Sequence, residues 1–272
     1  MKKCNVIVTS LLSASVLFTG FGLEGNAQAK DVFPSMNDER VKEEIEEMKA
    51  EGMTSEQIKE LQEMSKKEYD SVSTEAKAEV IFEESQKDIE QYIKDGVIDE
   101  YLPKYNEEKE KMGVNAKSKS LGTKGDVLVS YDLNSGSSAI GFGHAAIVSR
   151  KKAKTVEAWH KNWSPIKQHG VRRYNNNWGS RKKKVYGLWV KKSNNTKYVN
   201  TAKYAEKQAD QKKPYNLNFF DKKTTKKFYC SQLAWRAWKN QGHDIDNIKI
   251  DSVVSPMELV NSNNTKVFYH KK

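Results

Sequence analysis

The chain has 272 residues, 37% of them apolar and 31% charged, with 47 Lys and Arg against 36 Asp and Glu, five His and two Cys. It is too polar for a polytopic membrane protein and too short for more than about two domains of ordinary size. Two cysteines exclude a disulfide scaffold, no paired Cys/His spacing marks a structural zinc site, and a mean hydropathy of −0.83 implies that part of the chain lacks a deep core of its own.

Residues 1–29 place two lysines before an apolar run from Val6 to Leu23 and end on the small-x-small triplet Ala27-Gln28-Ala29. That order predicts a secretory signal peptide cleaved after Ala29. Thr, Ser and Gly interrupt the run, which argues against an uncleaved anchor. Cys4 stands before the run, whereas a lipid-modified cysteine would follow it. The mature chain therefore keeps one cysteine, Cys230.

Charge divides the remainder. Residues 30–120 carry 15 Lys and Arg against 25 Asp and Glu, a net of −10, and residues 121–272 carry 30 against 10, a net of +20. Each half presents an attractive field to the other. The acidic segment reads as helical: Val41, Ile45 and Met48 fall on one face, as do Ile58, Leu61 and Met64, then Ile81, Ile89, Tyr92 and Ile93. Gly52 ends the first helix, Thr54-Ser55-Glu56-Gln57 supplies a capping box for the second, and Ser73-Thr74-Glu75 opens a third that stops near Gly96. The stripes are thin, so these helices must pack on each other or on something else. The carboxylates read as a solvated face rather than as acid/base pairs, and Lys117-Ser118-Lys119-Ser120 reads as a linker.

Beyond it the pattern changes to strands at Gly125–Ser130, His144–Val148 and Thr155–Trp159. If the last two form a hairpin centred between Arg150 and Lys151, positions summing to 301 face one another, and His144 and Glu157 are such a pair. Opposed side chains share a face with Cβ atoms roughly 5 Å apart, close enough for a carboxylate to hold an imidazole. Tyr198–Gln211 reads as a helix with Val199, Ala202, Ala205 and Ala209 inward, ending before Pro214. A second helix begins at or near Cys230, with Leu233, Ala234 and Ala237 inward and Gly242 beyond its end. Unpaired N–H groups and the macrodipole at a helix start favour thiolate over thiol. A lone cysteine is more often buried and inert. Here an exported chain leaves a thiol unpaired at a helix start and also offers an ordered His/Glu pair, which favours a nucleophile.

The pieces GDVLVS (125–130), GHAAIV (143–148), TVEAW (155–159), KKPYNL (212–217), YCSQLAWRAW (229–238) and SPMELV (255–260) resemble, in that order, the permuted papain-like amidases of the YaeF/YiiX type, relatives of the NlpC-type cell-wall peptidases. The resemblance spans 121–272 and implies an α+β papain-like domain, with antiparallel sheet and packed helices, preceded here by the all-α acidic segment. By position it makes Cys230 the nucleophile, His144 the base and Glu157 the orienting residue, and Tyr215 is a candidate for lining the substrate site. Residues 30–120 have no counterpart in the family core and read as a pro-region or inhibitory arm that docks on the basic domain.

His160, one residue past Trp159, should point away from His144 and is a weaker choice of base; His169, His243 and His270 are weaker still. No HExxH or similar spacing occurs, so neither a metal nor another cofactor is expected. Trp159, Trp163, Trp178 and Trp189 line a groove or fill a core, and core is preferred for Trp189. RKKK at 181–184, KK at 191–192 and KKTTKK at 222–227 suit anionic wall polymers, anionic lipid or the chain's own acidic segment, with no specific nucleic-acid recognition implied. The resulting expectation is a secreted, cell-wall-associated cysteine hydrolase cleaving amide bonds in cell-wall peptides. The alternatives are a lipid acyl hydrolase or acyltransferase of the same fold, and a noncatalytic polyanion-binding surface protein.

Overall fold

A computed structural model of the protein describes residues 37–72, 89–96, 120–131, 138–140 and 143–271. The expected signal peptide, the opening of the third acidic helix at Ser73 and most of the Lys117–Ser120 linker lie outside the described residues.

Helix α1 (Glu39–Ala50) starts on Asp38, whose carboxylate accepts from the Arg40 N–H, and ends before Gly52 at φ +94°. The capping box opens α2 (Ser55–Val72): the Thr54 N–H donates to Gln57 Oε1 at 2.9 Å and the Gln57 N–H to Thr54 Oγ1 at 3.2 Å. A short α3 (Ile89–Lys94) precedes Gly96. Met48, Met53, Ile58, Leu61 and Tyr92 join the same apolar core as the strands that follow. Tertiary burial thus supplies what these thin stripes lack alone. Glu44 departs from the expected stripe: it is fully buried with Val41 and Met48, while Ile45 is only half-buried.

Six strands, β1 (Val127–Ser130), β2 (His144–Val148), β3 (Lys154–Trp159), β4 (Gly170–Asn175), β5 (Val185–Val190) and β6 (Thr265–Lys271), form an antiparallel sheet in the order β4-β3-β2-β1-β5-β6. The first three match the expected strands. The other three escape sequence reading for physical reasons: β5 is buried along its whole length and shows no alternation, and β4 and β6 carry charged residues as edge strands do.

Four more helices complete the α+β fold: α4 (Trp178–Arg181), α5 (Asn195–Asp210), α6 (Cys230–Lys239) and α7 (Pro256–Asn261). Helix α5 starts three residues earlier than expected because Asn194 caps it through the Lys197 N–H, and Tyr198 rather than Val199 packs inward. The Tyr198 ring meets Trp238 of α6 edge-on at 4.6 Å, and the Trp238 indole donates to the Gly125 carbonyl at 3.1 Å. Helix α6 lies against β2 and β3, with Ala234 and Ala237 buried so that helix and sheet approach closely.

Candidate active site

Gly143 precedes the first residue of β2 with φ +72°, and a Cβ there would stand 2.3 Å from the Ser130 carbonyl oxygen. Only glycine fits, and the tight approach fixes where His144 leaves the turn. Across the hairpin, Ala146 faces Glu157, Ile147 faces Val156 and Val148 faces Thr155. The pairing is closed by the Ser149 N–H donating to the Lys154 carbonyl at 3.0 Å. Facing positions therefore sum to 303, and the expected direct opposition of His144 and Glu157 is corrected by two residues: the turn lies one position farther along than the Arg150/Lys151 centre. A slip of two, unlike a slip of one, keeps every side chain on its face. His144 thus reaches Glu157 diagonally, Nε2 to Oε2 at 2.8 Å, with both side chains fully buried.

Glu157 gathers more donors than the sequence suggested. Its carboxylate also accepts from Thr155 Oγ1 at 2.5 Å, Trp159 Nε1 at 2.9 Å, Trp178 Nε1 at 3.0 Å and Arg181 Nη2 at 3.0 and 3.3 Å. Burial works against its ionisation, but Arg181 and the His144 hydrogen bond outweigh it and hold the carboxyl well below the usual range. Burial dominates at His144 and carries the imidazole down to about 4, against the pull of Glu157. At neutral pH the pair is a neutral imidazole and a carboxylate. With Glu157 accepting at Nε2, the proton sits on Nε2 and the lone pair on Nδ1. Among the described residues, Nδ1 is buried with no hydrogen-bond partner. The Trp159 and Trp178 rings lie 3.9 and 5.7 Å from the imidazole and keep water from the bond. Trp178, Arg181 and Thr155 were not singled out for this role, and no local motif marks them.

Cys230 is the first residue of α6, after Tyr229 in extended conformation, and is buried. Its sulfur lies 4.0 Å from Ser231 Oγ, which donates to the Val254 carbonyl. Helix α6 packs on the strand that His144 opens, but no hydrogen bond links His144 Nδ1 to the thiol among the described residues. The structure therefore joins two of the three expected catalytic residues, His144 and Glu157, and for Cys230 it gives the packing of its helix on β2 and β3. Gln232 steadies that helix start: its Oε1 accepts from the Tyr229 N–H and from Asn216 Nδ2, and its Nε2 donates to the carbonyls of Asp221, Lys222 and Thr224. Tyr215 is buried, with its ring 6.1 Å from those of both His160 and His169, and its N–H donates to His169 Nε2.

His160 is engaged elsewhere, with Nε2 bonded to Glu47 at 2.9 Å. Trp189 is core, stacked on Phe268, whereas the Trp163 indole donates to Glu44. Asp246, Asp251 and Glu258 cluster closely enough to suit a metal ion. The Lys222 ammonium, however, lies 2.8 and 3.0 Å from the two aspartates and supplies the compensating charge there.

No family model matches the chain and no curated protein matches it. Among solved structures, the metalloprotein YiiX from Escherichia coli O157:H7 is similar at a TM-score of 0.40 and 15% identity, over 55% of this chain and 97% of that one. The likeness is weak, and no reading of the site rests on it.

Proposed function

We propose that the chain is a cysteine hydrolase of amide bonds, on a permuted papain-like arrangement, with Cys230 as nucleophile, His144 as base and Glu157 as orienting carboxylate. One observation carries the reading: a buried imidazole is fixed through Nε2 by a carboxylate, while Nδ1 has no hydrogen-bond partner among the described residues and lies on the strand that supports the cysteine helix. In the reaction the thiol proton passes to Nδ1 as Sγ bonds to the carbonyl carbon, and the Cys230 backbone N–H faces the oxyanion. Nδ1–H then protonates the departing amine as the carbon–nitrogen bond breaks, leaving a thioester for water to cleave. Burial leaves the His144 imidazole unprotonated at neutral pH, so Nδ1 carries a lone pair, though as a weaker base than a free imidazole. The reading requires sulfur and imidazole to come within hydrogen-bond reach in the substrate complex.

Cell-wall peptides are the proposed substrates, at an exported location where the basic half also holds anionic wall polymers. Burial of Cys230 favours a second, noncatalytic reading. Full-length wild type and Cys230→Ala, each incubated with defined muropeptides, with phospholipids and with a thiol-directed probe, decide between them. Release of a peptide fragment by wild type alone supports the amidase; fatty-acid release redirects the proposal to lipid. Full activity in Cys230→Ala, or inertness of wild type toward every substrate and the probe, overturns it.

A further inference from the structure

Helix α1 meets the strand-bearing part of the chain through a row of carboxylates. Glu43 and Glu47 pair with Lys161 at 3.1 and 2.8 Å, Glu43 accepts from Asn162 Nδ2 at 2.9 Å, and Glu51 pairs with Lys227. These pairs are part-exposed and individually weak.

Glu44 is different. It is fully buried, with Oε1 accepting from Ser138 Oγ at 2.5 Å and Oε2 accepting from the Ala139 backbone N–H at 2.8 Å and the Trp163 indole at 2.5 Å. His160 Nδ1 lies 3.6 Å from the same oxygen. Among the described residues no lysine or arginine pairs with it. A backbone amide, a hydroxyl and an indole converge on both oxygens, a donor set that reads a carboxylate by geometry rather than by bulk charge. Every donor comes from the β1–β2 and β3–β4 connections. Both lie at the end of the sheet where His144 stands, since Ser130 faces His144 and Trp159 closes β3. Through His160 the pocket adjoins Tyr215.

We infer that Ser138, Ala139, His160 and Trp163 form a carboxylate-binding subsite, which Glu44 fills while α1 is docked and which the free carboxylate of a peptide ligand takes when α1 lifts. This inference does not depend on Cys230 being a nucleophile. The ligand carboxylate has two sources, a glutamyl side chain or a peptide C-terminus, and both present the same two oxygens.

The test uses full-length Glu44→Ala, labelled with ¹⁵N at tryptophan, titrated with acetyl-glutamate amide, acetyl-alanine free acid and acetyl-glutamine amide. The Trp163 indole resonance should shift saturably with one or both carboxylates and not with the glutamine compound. Wild type should need at least about tenfold more ligand, and adding Trp163→Phe, read at the remaining indoles, should weaken binding by about tenfold, as expected for loss of a hydrogen bond to a charged group. Which acid binds better identifies the source. If Glu44→Ala does not fold, the double variant Glu43→Gln with Glu51→Gln loosens α1 at contacts with Lys161, Asn162 and Lys227, leaves the pocket residues untouched and takes the same titration. A folded variant that binds no carboxylate, or binds glutamine amide equally well, overturns the inference.

Discussion

Glu157 is the residue whose removal tests the site most sharply. Replacement by alanine takes the acceptor from His144 Nε2, Trp159 Nε1, Trp178 Nε1, Thr155 Oγ1 and Arg181 Nη2 together. Arg181 is 20% exposed and can turn to water, and the Thr155 hydroxyl can rotate. The imidazole and two indoles have no such escape. A buried donor without a partner costs about 1–3 kcal/mol, and breaking a buried ion pair about 3–5 kcal/mol. Since the same donors enter both counts, the prediction is a loss of at least about 3 kcal/mol, a large share of the roughly 5–15 kcal/mol available to a domain. His144→Ala removes only one of the five partners and should cost about 1.5–3 kcal/mol from the hydrogen bond to a charged group, plus a packing loss against Trp159, while abolishing the proposed hydrolysis. Urea unfolding at neutral pH, followed by tryptophan fluorescence and circular dichroism, measures both. A Glu157→Ala unfolding free energy within about 0.5 kcal/mol of wild type would show that the donors find other partners and would refute the reasoning.

Other perturbations follow from the same geometry. Gly143→Ala forces a side chain onto the Ser130 carbonyl at positive φ; it should destabilise by about 1–3 kcal/mol and depress hydrolysis, checked by melting and turnover on one preparation. Burial, with Asp251 and Asp246 nearby, raises the Glu258 carboxyl from 4.5 to about 8. The folded state therefore holds a proton that the unfolded chain has released, and this group's contribution to stability falls as pH rises through that window. Wild type should lose more stability than Glu258→Gln between pH 5 and 8 in paired urea titrations, and parallel curves would count against the assignment. Cys230→Ala should remain folded, because sulfur removal leaves α6 and its Gln232 contacts in place, and its circular dichroism should match wild type.

Much of the site was legible from face parity alone. His144 and Glu157 lie on strands whose side chains alternate, so an even slip in register could not part them. The size of the slip was not legible, because the lysine-rich turn after Val148 holds no Gly or Asn to set its length. Cys230 was readable as a helix start from the apolar spacing behind it. Trp178 and Arg181 sit on a four-residue helix too short to show a period, and only the fold carries them to Glu157. Glu44 was read with its neighbours as solvated, since nothing local separates this buried carboxylate from those at the rim of α1. Its donors lie 94 and more positions away.

That separation bears on the order of assembly. Helix α1 leaves the ribosome before any of its partners: Ser138 follows Glu44 by 94 positions, Trp163 by 119, and Ser255 follows its contact Glu68 on α2 by 187. Twelve residues do not sustain a helix in water unaided, and closing loops of this size costs entropy that only completed surfaces return. The portion of the chain made early is thus expected to be set in place late, as a latch that closes over a finished sheet.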